Sequence, residues 1–256
     1  MSADRRAAIE LRDLRRTFPA RRGELTALEN LTLEVREGEV VGMVGPSGCG
    51  KSTLLELVCG LQEPTVGSVR VDGLGEPAER LKRCALMPQR DLLLPWRSAL
   101  DNAALALELH GLARREARLR ALPLFDRFGL LGFADARPHE LSGGMRQRVS
   151  FARTLLAGKP VLLLDEPFGS LDSITRAELQ EWLASALEDE PRTVLLVTHD
   201  VEEALFLCDR VLVLSPRPGT VRTELAPALP RKGPRRERVT SPEFAALRER
   251  ALEALA

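Results

Sequence analysis

The sequence predicts an α/β fold with a mixed, mainly parallel sheet at its core, an antiparallel β region near the N-terminus and a helical insertion. Three observations predict it. Val40–Val44 and residues 161–164 and 194–197 are unbroken apolar runs bounded by Gly, Pro or polar residues, the pattern of strands covered on both faces. Residues 9–14 and 31–35 alternate apolar and polar side chains, as strands do when one face meets water. The stretch from about 91 to 159 carries helical patterns and no strand pattern.

Taken in order, the alternating segments form the antiparallel region and the first apolar run opens the parallel sheet. In the insertion, Met145, Val149, Ala152 and Leu156 share one helical face, with Ser142 placed as N-cap and Gly158 as a stop. Leu179, Trp182, Leu183, Ala186 and Leu187 repeat as a buried helical stripe. Asp200 with Glu203 resembles a capping box opening a short helix through Leu207. From about Pro227 the chain turns Pro- and Arg-rich and then helical. The expected division is therefore a catalytic unit over residues 1–226, with its helical subdomain at about 91–159, and a tail over 227–256 comprising a basic linker and a short helix.

Composition narrows the function. Of 256 residues 44% are apolar and 29% charged, which excludes a disordered or fibrous chain. Thirty-seven basic residues balance 37 acidic ones, so no global positive field favours non-specific nucleic-acid binding. The apolar runs are far shorter than the ~20 residues that cross a bilayer, and the N-terminal residues carry no signal-peptide pattern. Cys49, Cys59, Cys84 and Cys208 lack paired spacing and read as reduced thiols.

The chemistry is concentrated in two places. Gly45-Pro46-Ser47-Gly48-Cys49-Gly50-Lys51-Ser52-Thr53 satisfies the phosphate-loop pattern G-x-x-x-x-G-K-[ST] between an apolar strand and a helical run. Glycines let the backbone curl until successive N–H groups point inward at phosphate oxygens, and the following helix adds its positive end. Lys51 adds charge on the β- and γ-phosphates, and the Ser52 hydroxyl is placed for Mg²⁺. The strand at 161–164 ends in Asp165 and Glu166, at the edge where ligands of open α/β sheets bind. Asp165 would complete the Mg²⁺ shell, and Glu166 would polarise an attacking water as general base.

Leu141-Ser142-Gly143-Gly144-Met145, ahead of Asp165, resembles the signature motif of the ATP-binding cassette (ABC) ATPases. The resemblance covers at least residues 9–215 and implies a P-loop NTPase cassette that binds ATP and Mg²⁺. It implies that Gln89 is the glutamine that touches Mg²⁺ and responds to a transmembrane partner. Ser170-Leu171-Asp172 is similar to the D-loop, and His199 matches the switch histidine at the γ-phosphate. Phe18 matches the aromatic that stacks on adenine, with a core phenylalanine as the alternative; stacking needs a π-face and no hydroxyl. Met145 departs from the usual glutamine, which removes one polar contact and leaves Ser142, Gly143 and Gly144.

The resemblance further implies two cassettes, expected to be identical, closing head to tail over two ATP molecules, with Ser142 of one facing the γ-phosphate held by the other. The segment from Leu94 to Asn102 looks like that of importers for nitrate, sulfonates, taurine and thiamine precursors. The expectation is the ATPase subunit of an importer, peripheral on the cytoplasmic face of the membrane, served by a permease and indirectly by a solute-binding protein, with no nucleic-acid partner. The alternative is a soluble cassette ATPase acting on nucleic acid or ribosomes.

Other residues have plainer readings. His110 and His139 have no partner at metal-ligand spacing. Cys49 reads as a small residue whose backbone N–H matters, with a helix-activated thiol as the alternative, and Trp182 reads as core. Five of the nine residues from 230 to 238 are basic, read as a solvated linker.

Overall fold

A computed structural model describes residues 6–21, 23–227 and 235–255. Two long strands, β1 (Ala7–Ala20) and β2 (Gly23–Arg36), pair antiparallel and lead into β3 (Val40–Val44) and helix α1 (Lys51–Cys59). Then come β4 (Val66–Val71), α2 (Pro77–Arg83) and β5 (Cys84–Met87). The helical insertion holds α3 (Ala99–Ala103), α4 (Leu105–Leu109), α5 (Arg114–Arg127) and α6 (Gly143–Leu156). The chain returns through β6 (Val161–Asp165), α7 (Ser173–Asp189), β7 (Thr193–Thr198), α8 (Val201–Leu207), β8 (Arg210–Leu214) and β9 (Val221–Leu225). It ends in α9 (Arg235–Val239) and α10 (Pro242–Leu255).

The strands form two sheets. One has three antiparallel strands in the order β2-β1-β4; the other has six in the order β5-β6-β7-β3-β8-β9, parallel except for β9. The unbroken apolar runs are explained by cover on both faces. Val40 and Val44 of β3 pack into one core and Val41 and Met43 into the other; Leu162 and Leu164 of β6 oppose Val161 and Leu163 in the same way. The first core receives the helical insertion and α7, and the second receives α1 and the antiparallel sheet. Gly42, in the middle of β3, lets α8 approach: a Cβ there would lie 2.8 Å from Cys208 Sγ.

The sequence segment before α3 is tied to itself. Buried Asn102 donates from Nδ2 to the carbonyls of Leu94 (3.1 Å) and Ser98 (3.0 Å) and accepts from the Leu94 N–H at 2.7 Å. Asp101 beside it is buried, which works against ionisation, but hydrogen bonds from Arg114, Arg118 and Ser98 outweigh burial and hold its carboxyl well below the usual range. This polar knot fixes a loop that leaves Trp96 69% exposed.

An aromatic cluster joins the insertion to the sheet. Phe151 of α6 stacks on Phe128 at 5.6 Å and meets Phe168, just after β6, edge-on at 5.7 Å. Trp182 of α7 meets Phe128 edge-on at 5.1 Å, half-buried at the rim of this cluster. At the C-terminal end, Phe244 and Ala251 of α10 are buried in the first core, against α8, β8 and β9.

The basic stretch is not simply solvated. Arg231 and Lys232 lie outside the described residues. Arg238, however, is buried, its guanidinium 4.2 Å from the centroid of Phe206 and donating to the Phe206 carbonyl at 2.8 Å. A planar, weakly hydrated cation tolerates such a seat on an aromatic face.

Candidate functional site

The loop after β3 curls because two of its glycines adopt backbone angles that L side chains rarely take, Gly48 at φ 79° and Gly50 at φ 103°. A Cβ on Gly50 would sit 2.7 Å from Leu28 Cδ2, so space as well as φ requires glycine there. Lys51 opens α1 and is buried; its Nζ donates to the carbonyls of Gly45 at 2.7 Å and Pro46 at 3.0 Å. Cys49 is 1% exposed and 3.9 Å from that amine, which favours the plain reading of its thiol over the reactive one.

This loop floors a cleft of ≈ 260 Å³ whose lining includes Phe18, Ser47, Gly48, Gly50, Lys51, Ser52, Thr53, Gln89, Glu166 and Arg217. Phe18 lies half-buried on its wall rather than in the core, with the Arg16 guanidinium 4.5 Å from its ring centroid. Hollows of ≈ 460 and ≈ 470 Å³ beside Trp182 hold none of the phosphate-loop residues, so volume alone would have misplaced the site.

β6 delivers the two carboxylates in different states. Asp165 is buried, and burial pushes its pKa up, against a hydrogen bond from Ser52 that lowers it. Glu166 turns out of the strand at φ 48°, a left-handed angle that a non-glycine residue holds only where neighbours over-determine it. The neighbours are present: its N–H donates to the Val197 carbonyl at 2.8 Å, and its carbonyl accepts from Gly169 N at 3.2 Å and Gln147 Nε2 at 3.3 Å. The carboxylate thereby meets two other residues singled out in the sequence for other contacts. Its Oε2 accepts from Gln89 Nε2 at 3.2 Å and lies 3.3 Å from Nδ1 of His199.

His199 directly follows β7 and is 61% exposed on its side chain. The following turn is fixed by Asp200, which accepts from the N–H groups of Glu202 (2.9 Å) and Glu203 (3.1 Å). The expected capping box is half right, because Glu203 does not reach back to the cap. It points inward and accepts from Gln180 Nε2 of α7 at 3.1 Å. Burial first, and the charge of Asp200 next, push its pKa from an ordinary 4.5 up to about 8, while Thr198, Gln180 and Arg176 pull it down. A carboxyl whose folded pKa is raised gives stability that is complete below its unfolded value and is lost as pH climbs through the folded one. Stability should therefore decline between pH 4.5 and about 8. Glu203→Gln should flatten that decline in thermal melts across the window; an unchanged slope would assign it to other groups.

The signature residues are not in this cleft. Ser142 caps α6, accepting from Met145 N at 3.2 Å, and with Gly143 it is exposed and absent from the cleft lining. Gly144 packs inward, where a Cβ would be 3.3 Å from the Ser170 carbonyl. Asp172 caps α7, and the N–H groups of Thr175 and Ile174 hold its carboxyl below the usual range. Sequence reasoning missed Gln147 and Arg217, as well as the arginines that clamp the segment after Gln89. Arg146 donates to Asp91 Oδ2 at 2.9 Å and Arg153 to the Asp91 carbonyl at 2.7 Å.

Ser52, Gln89 and Asp165 are hard oxygen donors, one of them a buried carboxylate whose charge a cation would offset, and so they fit Mg²⁺. Among the described residues no group of three or more His, Cys, Asp or Glu could hold a metal ion on its own. That suits an ion that takes its remaining ligands from phosphate and water.

Residues 28–169 match the family model for ABC transporter. The chain belongs to the ABC transporter family. This cassette is 44% identical to the nitrate import ATP-binding protein of Synechocystis sp., over 87% of this chain and 83% of that one. It is 45% identical to the taurine import ATP-binding protein of Rhizobium johnstonii, over 91% and 90%. It is 44% identical to the formylaminopyrimidine import ATP-binding protein of Halalkalibacterium halodurans, over 80% of each. A solved dimeric, post-hydrolysis structure of the ATP-binding cassette MJ0796 bound to ADP and Pi superposes with a TM-score of 0.80 at 32% identity, covering 86% of this chain and 99% of that one. The expected α/β P-loop cassette is thus the fold observed.

Proposed function

We propose that this ABC cassette is the ATP-hydrolysing subunit of an importer for a small solute of the nitrate, sulfonate, taurine or thiamine-precursor type. The observation that carries the reading is the meeting of Gln89, Glu166 and His199 at the mouth of a phosphate-loop cleft, with Ser142 turned outward. In this reading Gly45, Ser47, Gly48, Cys49, Gly50 and Thr53 cradle the phosphates through backbone N–H groups, Pro46 shapes the turn without a donor of its own, Lys51 neutralises the phosphates and Phe18 faces adenine. Ser52, Gln89 and Asp165 would hold Mg²⁺, which would supply charge neutralisation to the phosphates when bound. Glu166 takes the proton from the attacking water, and His199, beside the same carboxylate oxygen, orients the γ-phosphate.

Ser142, Gly143 and Gly144 present an uncovered helix N-terminus that suits the γ-phosphate bound by a second, identical cassette, with Asp172 at the junction. ATP closes the pair, and loss of the γ-phosphate releases it. Exposed Leu92 and Trp96, on the loop downstream of Gln89, offer the permease an apolar seat. Among the described residues no helix is long and apolar enough to cross a membrane, and in this reading a separate permease carries the solute. The cassette works at the cytoplasmic face, and a solute-binding protein reaches it through the permease. Nothing in the site favours the nucleic-acid alternative.

The test is reconstitution with the cognate permease in vesicles. ATP hydrolysis should rise when solute-loaded binding protein is added, and Lys51→Ala should remove both the basal and the stimulated rate. A rate indifferent to loaded binding protein would overturn the importer reading.

A further inference from the structure

We propose that Arg217 is a phosphate-binding residue of the ATP site, a second cation set on the rim of the anion cradle by the loop between β8 and β9. The proposal rests on the reading of the cleft as an ATP site and adds to it a residue that none of the motifs contains.

The loop is built to hold its shape. Ser215 N donates to the Thr220 carbonyl at 2.9 Å, and Ser215 Oγ accepts from Thr220 N at 3.0 Å and lies 2.9 Å from the carbonyls of Pro216 and Pro218. Its tip is sewn to β2, since Gly219 N donates to the Ala27 carbonyl at 2.9 Å and the Gly219 carbonyl accepts from Glu29 N at 3.1 Å. It also presses on the phosphate loop: a Cβ on Gly219 would overlap the Cys49 carbonyl oxygen. Two prolines flank Arg217, which limits the backbone freedom of the residue that reaches the cleft.

From this platform Arg217 crosses to the phosphate loop. Its Nε donates to the Gly48 carbonyl at 2.8 Å, and its Nη2 lies 2.9 Å from where a Gly48 Cβ would be, against the loop whose N–H groups form the cradle. Among the described residues that carbonyl is its only hydrogen-bond partner and no carboxylate pairs with it. Arg210, at the start of β8, shows the ordinary alternative, lying between Glu39 and Glu224 at 3.0 and 2.9 Å. An arginine without an acid partner, oriented by one N–H and lining a cleft that collects anionic oxygens, has its remaining fork of donors for phosphate. Lys51 cannot cover that rim, because its amine is drawn inside the curl by Gly45 and Pro46.

The experiment is equilibrium binding of a fluorescent ATP analogue with Mg²⁺ to the full chain, competed by ATP and by inorganic tripolyphosphate, which has the phosphates and no base. Arg217→Ala and Arg217→Gln should each weaken both competitors by about tenfold, the scale of one charge-assisted contact, with the nucleotide-free melting temperature unchanged. If tripolyphosphate competes within about twofold of wild type against Arg217→Ala while Lys51→Ala loses binding, the cleft reading stands and the role of Arg217 falls. Wild-type affinity in Arg217→Gln, which can still donate to the Gly48 carbonyl, would reduce the arginine to a loop support and overturn the proposal. Failure of the wild-type chain to bind ATP would overturn the cleft reading and this proposal together.

Discussion

Glu166→Gln is expected to reduce ATP hydrolysis by about 10²- to 10⁴-fold, the scale of a lost general base, while leaving ATP bound. The amide keeps the size of the carboxylate and can still meet Gln89 and His199, which lie 3.2 and 3.3 Å from Oε2, but it cannot take a proton from water. The left-handed turn at this residue is held by backbone bonds to Val197, Gly169 and Gln147, which the substitution does not touch. Nucleotide should therefore accumulate unhydrolysed, and with it the closed pair. Light scattering with ATP and Mg²⁺ should show twice the monomer mass for the variant, alongside loss of phosphate release. A variant that hydrolyses at the wild-type rate would remove Glu166 from the chemistry, and one that stays monomeric with ATP bound would count against the shared-site dimer.

The largest stability effect is expected at Phe151. Phe151→Ala should cost about 3–5 kcal/mol, the usual range for a fully buried aromatic, because the ring is shared by three elements. It stacks on Phe128 at the end of α5, meets Phe168 two residues beyond Glu166, and lies 6.4 Å from the Trp182 ring of α7. A cavity there loosens the join between signature helix and catalytic turn, so the denaturation midpoint should fall and basal ATP turnover should fall with it. Phe151→Leu, which keeps most of the volume, should recover the larger part of both. A midpoint unchanged in Phe151→Ala would mean that the cluster rearranges to fill the gap.

Legibility of this protein in its sequence followed the range of the interactions. The apolar runs at β3, β6 and β7 could be read because cover on both faces demands a continuous pattern. The outer strand β5 has only four residues, too few for periodicity to register, and β4 and β9 carry exposed polar positions. The phosphate loop and the Asp165–Glu166 pair were legible because their chemistry is local. Glu203 was assigned to the cap three residues away, whereas its partner Gln180 is on another helix. Arg217 was invisible for the same reason: its contact, Gly48, is 169 residues distant in the chain. Arg238 read as linker charge because no pattern in its own neighbourhood announces the Phe206 ring beneath it.

The outward-facing Ser142 has a kinetic corollary. In the proposed reading, a chain that carries its own water-activating acid but turns its serine toward bulk solvent holds two unlike halves of a reaction centre, neither of which would work unaided. Specific activity should then depend on how much protein is in the tube, rising with roughly the first power of concentration while monomers predominate and levelling once pairs form. A subunit tethered beside its twin on one permease would escape this dilution, its local concentration being set by the tether rather than by the cell.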